Sequence, residues 1–290
     1  MARDNVTAAV LREQLAGFPA SGARRALRHL LKWLSCEIDA DNIIWIAAIR
    51  VLDGSQAKND PFFGWRLRER YPLHPDPKPY QQVLAQYYQP EHYGKLTPTY
   101  RSRSHEPKID HVGMTGRASL AGAGHFRVHR LRDRDWLDFN ALRRTEHYRL
   151  YFELPGIIDR ILVGVPVSSA CESFVMIHRH RAQDGSRRKL FTRREAQLAG
   201  EIMRGVPELH RRLFLGNGLL TGDKPLSPTE RRILNGLLDG LTEKEIASAI
   251  GQRFATTHKY VKSLYARYGV TSRASLMALW LSGCRYAPPI

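Results

Sequence analysis

Apolar residues along this chain keep a helical period near both ends and a strand-like density in the middle. Thr7 to Cys36 reads as helix interrupted near Pro19, with Leu27, Leu30, Leu31 and Leu34 on one side. Asn42 to Leu52 (NIIWIAAIRVL) is rich in Ile and Val and predicts a buried strand. Asp53-Gly54 then marks a turn, and Phe62 to Tyr71 alternates as a second strand does. Proline punctuation precedes a short helix from Tyr80 to Tyr88, and Gly94 to Gly124 carries no period and reads as loop. Asp135 to Phe152 is again helical in pattern, while Arg160 to Val167 and Ser173 to His178 predict two adjacent strands. Phe191 to Phe214 predicts one long helix kinked at Pro207, opened by Thr192 and Glu195 as a reciprocal cap. Strands in the middle with helices on either side predict an α+β domain over residues 1–215. The glycine-rich stretch 216–225 (GNGLLTGDKP) reads as a linker.

Residues 226–290 follow a different pattern, that of four short helices in an all-α domain. Ser227, Pro228 and Glu230 open the first, and Ile233, Leu234, Leu237 and Leu238 share its inner face up to Gly240. Thr242 and Glu245 cap a second, which Gly251 ends. A third runs from Phe254 to Tyr268, closed by Gly269, and a fourth begins at Thr271 or Ser272. With Thr257 at 0° and about 100° per residue, Val261, Leu264 and Tyr268 fall near 40°, 340° and 20°. His258, Lys262 and Lys259 fall near 100°, 140° and 200°, a cationic outer face that Ala255 and Ala266 leave sterically open. Taken alone, such a face fits an ordinary solvated helix as well as one built to approach nucleic acid.

Charge adds weight without locating a site. The chain carries a net charge of +17, which favours polyanions. The stretch 226–282, however, has eight Lys and Arg against four Asp and Glu, so most of the excess lies before it. No apolar run is long enough for a bilayer, and the N-terminus lacks the apolar core of a signal peptide. A cytoplasmic chain without a membrane partner is expected. Cys36, Cys171 and Cys284 are too far apart to suggest a metal site and read as reduced thiols. His125 with His129, and His178 with His180, lack the further ligands a metal requires, so none is expected. No nucleophile-base set, phosphate loop or dinucleotide fingerprint appears, and the expectation is a non-enzyme without cofactor.

Residues 226–282 resemble, without a gap, the C-terminal domain of the LuxR family, also called GerE-type. The likeness is carried by Leu226, Ser227 and Glu230, by Gly240-Leu241-Thr242 with Lys244-Glu245-Ile246-Ala247, and by Gly251. Thr256, Val261, Leu264, Gly269-Val270 and Ser272-Arg273 extend it. The resemblance implies a helix-turn-helix from Leu241 to Tyr260, with His258, Lys259 and Lys262 reaching base edges in the major groove. It implies backbone contacts at Lys244, Thr256 and Tyr260, and a dimer contact through Leu276 and Trp280. Three residues depart from the family pattern. Arg253 stands where Ser or Thr usually caps the recognition helix, Thr257 replaces a common Val and His258 a common Lys.

Upstream, the segment containing Tyr148, Tyr151, Pro155 and Gly156 is similar to the GAF-like sensory half of some LuxR-type regulators. That likeness implies a small-molecule pocket lined by aromatics such as Trp45, Trp65 and Trp136, which fit a packed core equally well. Asp39 and Asp41 precede the first strand, unlike the acids of a phosphoacceptor domain, which argues against phosphorylation there. The expected protein is a homodimeric transcriptional regulator whose partners are double-stranded DNA, a small-molecule signal and, as a further candidate, RNA polymerase. The alternative is a constitutive DNA binder whose N-terminal domain only dimerises or holds a partner.

Overall fold

The structure, a computed structural model, describes residues 2–87 and 118–281, apart from 53, 59, 61, 187 and 223. Most of the expected loop from Gly94 to Gly124, and Cys284, lie outside the described residues. The chain divides into two compact units, residues 31–205 and residues 1–30 with 206–290. No described helix is long and apolar enough to cross a membrane.

The unit 31–205 is built on a five-stranded antiparallel sheet in the order β2-β1-β5-β4-β3. Its strands are β1 (Asn42–Arg50), β2 (Trp65–Pro72), β3 (Arg127–Arg130), β4 (Ile157–Ser168) and β5 (Cys171–His180). The mixed helix-and-sheet class expected from the pattern is therefore found, with the short edge strand β3 added. Because side chains alternate along a strand, Ile44 and Ile46 share one face with Leu162, Phe174 and Met176. Trp136 packs on that face, and Trp65 lies beside Ala48 on it. Trp45 points to the opposite face, where its indole N–H donates to Ser173 Oγ at 2.9 Å. The three tryptophans therefore cannot line one pocket. A helix (Arg193–Arg204) packs against β3 and β4 so closely that a Cβ on Gly200 would meet Val128 Cγ2 at 2.5 Å.

Three buried polar pairs are set into the sheet and its approaches. Arg127 reaches over Gly164 to grip Glu172 with two hydrogen bonds of 2.7 Å, and any side chain at Gly164 would collide with the guanidinium. Arg66 clasps Asp60 at 2.8 and 2.9 Å. Arg160 donates to His178 Nε2 at 3.0 Å while lying 4.2 Å over the Phe152 ring. Asp39 and Asp41 both pair with Arg188.

Two expected helices break for local reasons. Within 135–152, Asp138 accepts the N–H groups of Asn140 and Ala141, and Thr145 accepts that of Tyr148. Each cap restarts the chain, giving short helices Phe139–Leu142 and Glu146–Tyr148 and a π-helical turn Arg149–Glu153. The long C-terminal helix ends at Arg204, and a new one (Pro207–Gly216) starts with Pro207 in its first turn, where a missing N–H costs least. That break coincides with the division between the units.

The other unit contains helices Ala2–Ala16 and Pro207–Gly216, a 3-10 turn (Ala20–Gly22) and the start of a helix spanning Ala23–Glu37. It also contains four C-terminal helices, named here α1 (Pro228–Leu238), α2 (Glu243–Ile250), α3 (Phe254–Tyr268) and α4 (Arg273–Leu281). The stretch 216–225 is no free linker. Leu219 is buried, Leu226 N–H bonds Asn217 O at 2.9 Å, and Arg267 donates to the carbonyls of Gly218 and Lys224.

Burial, reinforced by the charge of Arg160, holds the His178 ring well below its ordinary pKa of 6.5, and burial lowers His180 and His129 as well. The unfolded chain takes up protons at these rings below about pH 6.5, while the folded chain resists them until lower pH. The stability they contribute is thus complete above that value and is lost as pH falls. Calorimetry from about pH 7 down to about pH 5 is expected to show a falling Tm, with a shallower slope in His178→Gln. A flat profile would contradict this.

Candidate nucleic-acid interface

The interface is assembled by helix caps. Ser227 with Glu230 and Thr242 with Glu245 form reciprocal capping boxes at the starts of α1 and α2. Gly251 and Gly269, both left-handed, end α2 and α3. Arg253 precedes α3 with no side-chain cap, as its departure from the family pattern implied. Gly236 lets α1 and α2 approach, since a Cβ there would meet Ile246 Cγ1 at 2.7 Å. Arg273 then ties the start of α4 to the end of α1, donating to Leu241 O at 2.9 Å and Leu237 O at 2.5 Å.

Thr257, Val261, Leu264 and Tyr268 of α3 are buried, and the last three belong to one apolar cluster with Ile233, Leu234 and Ile246. Tyr268 donates to Leu215 O at 2.5 Å. The opposite side of α3 carries Lys259 and Lys262, both exposed, with His258 beside them and Ala255 and Ala266 open between. Lys244 and Thr256 are exposed and Tyr260 is half-buried. The structure thus gathers the three expected base-reading residues on one side of one helix.

Leu276 and Trp280 are not available as an exposed dimer contact, contrary to the expectation. They are 0% and 2% exposed, packed into the core of this unit, with the Trp280 ring edge-on to Tyr268 at 5.2 Å. The physical reason is their spacing: four apart on α4, they form its inward stripe. The outward side of α4 carries Ala274, Ala278 and Leu281, the last 68% exposed.

Two residues were not foreseen. Phe254, at the first position of α3, is 48% exposed and stacks on His258 with ring centroids 6.0 Å apart. Its place near 60° on the wheel, four residues before His258, was the signal available. Glu243 of α2 binds His258 Nδ1 through Oε2 at 2.8 Å, a contact that no local spacing announces. The contact ties the ring of the recognition-helix residue to the helix before it.

The GerE family model, described as bacterial regulatory proteins of the luxR family, matches residues 224–280. The chain carries a LuxR-family helix-turn-helix domain. The transcriptional regulatory protein MctR of Rhizobium johnstonii is 36% identical over 64 residues. That alignment spans 22% of this chain and 30% of MctR. A solved structure of SdiA in complex with octanoyl-rac-glycerol aligns over 96% of this chain and 94% of its own, at 12% identity and a TM-score of 0.42. Escherichia coli SdiA in another crystal aligns over 87% and 88%, at 14% identity and a TM-score of 0.32. Likenesses this loose carry no functional argument.

Within the LuxR-type domain, the Thr257 hydroxyl is fully buried and has no hydrogen-bond partner among the described residues. Thr257→Val is expected to stabilise the protein by about 1 kcal/mol, since it removes an unsatisfied polar atom at constant shape. Thermal unfolding reads this as a higher Tm, and a lower Tm would show that the hydroxyl is paired.

Proposed function

We propose that this protein is a DNA-binding transcriptional regulator that reads the major groove with α3 and responds to a small-molecule signal held by the unit 31–205. The observation that carries the reading is the two-sided character of α3 within a LuxR-family domain: an apolar stripe seated in the core, and Lys259, Lys262 and His258 together on the outer side. Phe254 joins these readers, because first-turn residues of a recognition helix meet base edges and a phenyl ring suits a thymine methyl. Lys244, Thr256 and Tyr260 hold the sugar-phosphate backbone. RNA polymerase is the partner through which bound protein alters transcription. None of these roles calls for catalysis or a metal.

Support for a sensory role comes from the sheet face bearing Ile44, Leu162 and Phe174. Trp136 packs there, stacked on His129 at 5.1 Å, and the described residues offer its buried indole N–H no acceptor. A ligand carbonyl or hydroxyl on that face would satisfy it. The competing reading, a constitutive regulator, predicts that no metabolite shifts the unfolding temperature of the full chain.

Selection of bound sequences from a random duplex library tests the DNA reading directly. On the selected site, Lys262→Ala is expected to weaken binding about tenfold and Lys259→Glu to abolish it, with folding unchanged. The salt dependence of affinity is expected to fall by about one counterion per lost phosphate contact at Lys244. Unchanged sequence-specific binding by the Lys259→Glu, Lys262→Ala double variant would place the reading face elsewhere.

The dimer contact is reassigned to the outward side of α4. Leu281→Glu is expected to leave a monomer on the duplex in analytical ultracentrifugation, whereas Met277→Ala, at a half-buried position, is not. A Leu281→Glu dimer would refute the reassignment.

A further inference from the structure

The stretch 216–225 closes on itself. Leu226 N–H donates to Asn217 O at 2.9 Å, so its two ends lie side by side, as in a compact surface loop. One limb is anchored: Asn217, Gly218 and Leu219 are buried, and Leu220 packs against the cluster that seats α3. The N–H groups of Gly218 and Leu219 return to Leu215 O and Phe214 O at 2.8 and 2.9 Å, which joins this limb to the helix Pro207–Gly216. The tip is different, since Thr221, Gly222 and Lys224 are exposed.

The last turn of α3 grips both limbs. Arg267 donates through one nitrogen to Gly218 O at 3.2 Å and to Lys224 O, carbonyls on opposite limbs of the loop. Its neighbour Tyr268 donates to Leu215 O, just before the loop begins. Gly218 makes room for this grip: its φ is 73°, and a Cβ there would meet Leu226 Cγ at 2.8 Å and Arg267 Nε at 2.9 Å. Asn217 carries the connection outward. Its side-chain oxygen accepts from Arg24 at 3.1 Å, on the helix Ala23–Glu37, whose later residues belong to the unit 31–205. The chain passes between the units again at 205–206, just before the helix Pro207–Gly216. Both crossings therefore lead, within one helix, to residues bonded to this loop.

We propose that Arg267 is a positioning residue for the recognition helix and that the loop 216–225 is a releasable clasp. This extends the DNA-reading role of α3 and rests on it. Closed, the clasp fixes the last turn of α3 in rotation, and with it the outward direction of Lys259 and Lys262. Open, that turn keeps its apolar seat but loses its directional bonds to the loop, and duplex affinity falls. Opening is local, because the loop tip is exposed and the grip on it is a pair of hydrogen bonds from one side chain. A change at either crossing that favours the open loop shifts the population away from duplex binding.

Hydrogen exchange of the full chain, with and without the selected duplex, tests this. Arg267→Gln opens the clasp from α3. Gly218→Val opens it from the loop without altering charge, because a β-branched residue tolerates the left-handed region poorly. In both, peptides covering 216–226 and 261–268 are expected to exchange about fivefold faster, with those of β1 and β5 unchanged. Gly218→Val is expected to weaken duplex binding about threefold, and by reciprocity saturating duplex slows exchange of the wild-type loop more than that of α1. A loop with only a stabilising role gives no such selective protection. Should Gly218→Val fail to fold, with β1 and β5 also exchanging faster, Arg267→Gln carries the same expectations. A faster loop with 261–268 unchanged, duplex binding by the opened variants equal to wild type, or no selective protection by duplex would each overturn the proposal. Absence of sequence-specific binding by the wild type would instead refute the DNA reading, and exchange at 261–268 would still decide whether the clasp holds α3.

Discussion

The seating of α3 is the constraint on which the DNA-reading unit depends. A helix of 15 residues can present a constant face to a groove only if its other face is fixed in rotation and depth. Here Val261, Leu264 and Tyr268 do this by entering the same cluster as Ile233, Leu234 and Ile246. Tyr268 adds a directional element, because its hydroxyl must find the Leu215 carbonyl while its ring meets the edge of Trp280. Apolar contact alone would tolerate a small rotation of the rod, but the hydrogen bond does not.

The same logic explains why Leu276 and Trp280 turn inward. Their spacing closes the cluster from the fourth helix, and the arginine at the start of that helix satisfies carbonyls left over at the end of α1. Core formation thus claims residues that a family likeness had assigned to a partner. The sheet unit solves a different problem. Among its buried apolar side chains, Arg127 with Glu172 and Arg160 with His178 are embedded in the strands. Such pairs fix relative positions more than they add stability.

Much of this was legible in the chain, in proportion to how local the determining signal was. Capping boxes at Thr192, Ser227 and Thr242 were readable because donor and acceptor lie three residues apart. The inner stripe of α3 was readable because periodicity is a property of the segment itself. The failures share the opposite character. Asp138 and Thr145 interrupt a good helical period through caps that the apolar pattern does not register. The inward turn of Trp280, the opposed faces of Trp45 and Trp136, and the packing of residues 216–225 are decided by partners distant in sequence. Glu243 belongs with these, since it reaches His258 across a helix boundary.

That last contact has an evolutionary consequence. Because Glu243 holds the ring of His258, the chemistry that the proposed recognition helix displays is partly encoded on the helix before it. Exchange of Glu243 for lysine or a small residue would release that ring while leaving every outward residue of the helix in place. Related proteins with identical recognition helices can therefore diverge in the promoters they occupy, and a comparison limited to that helix would group together regulators that no longer share targets.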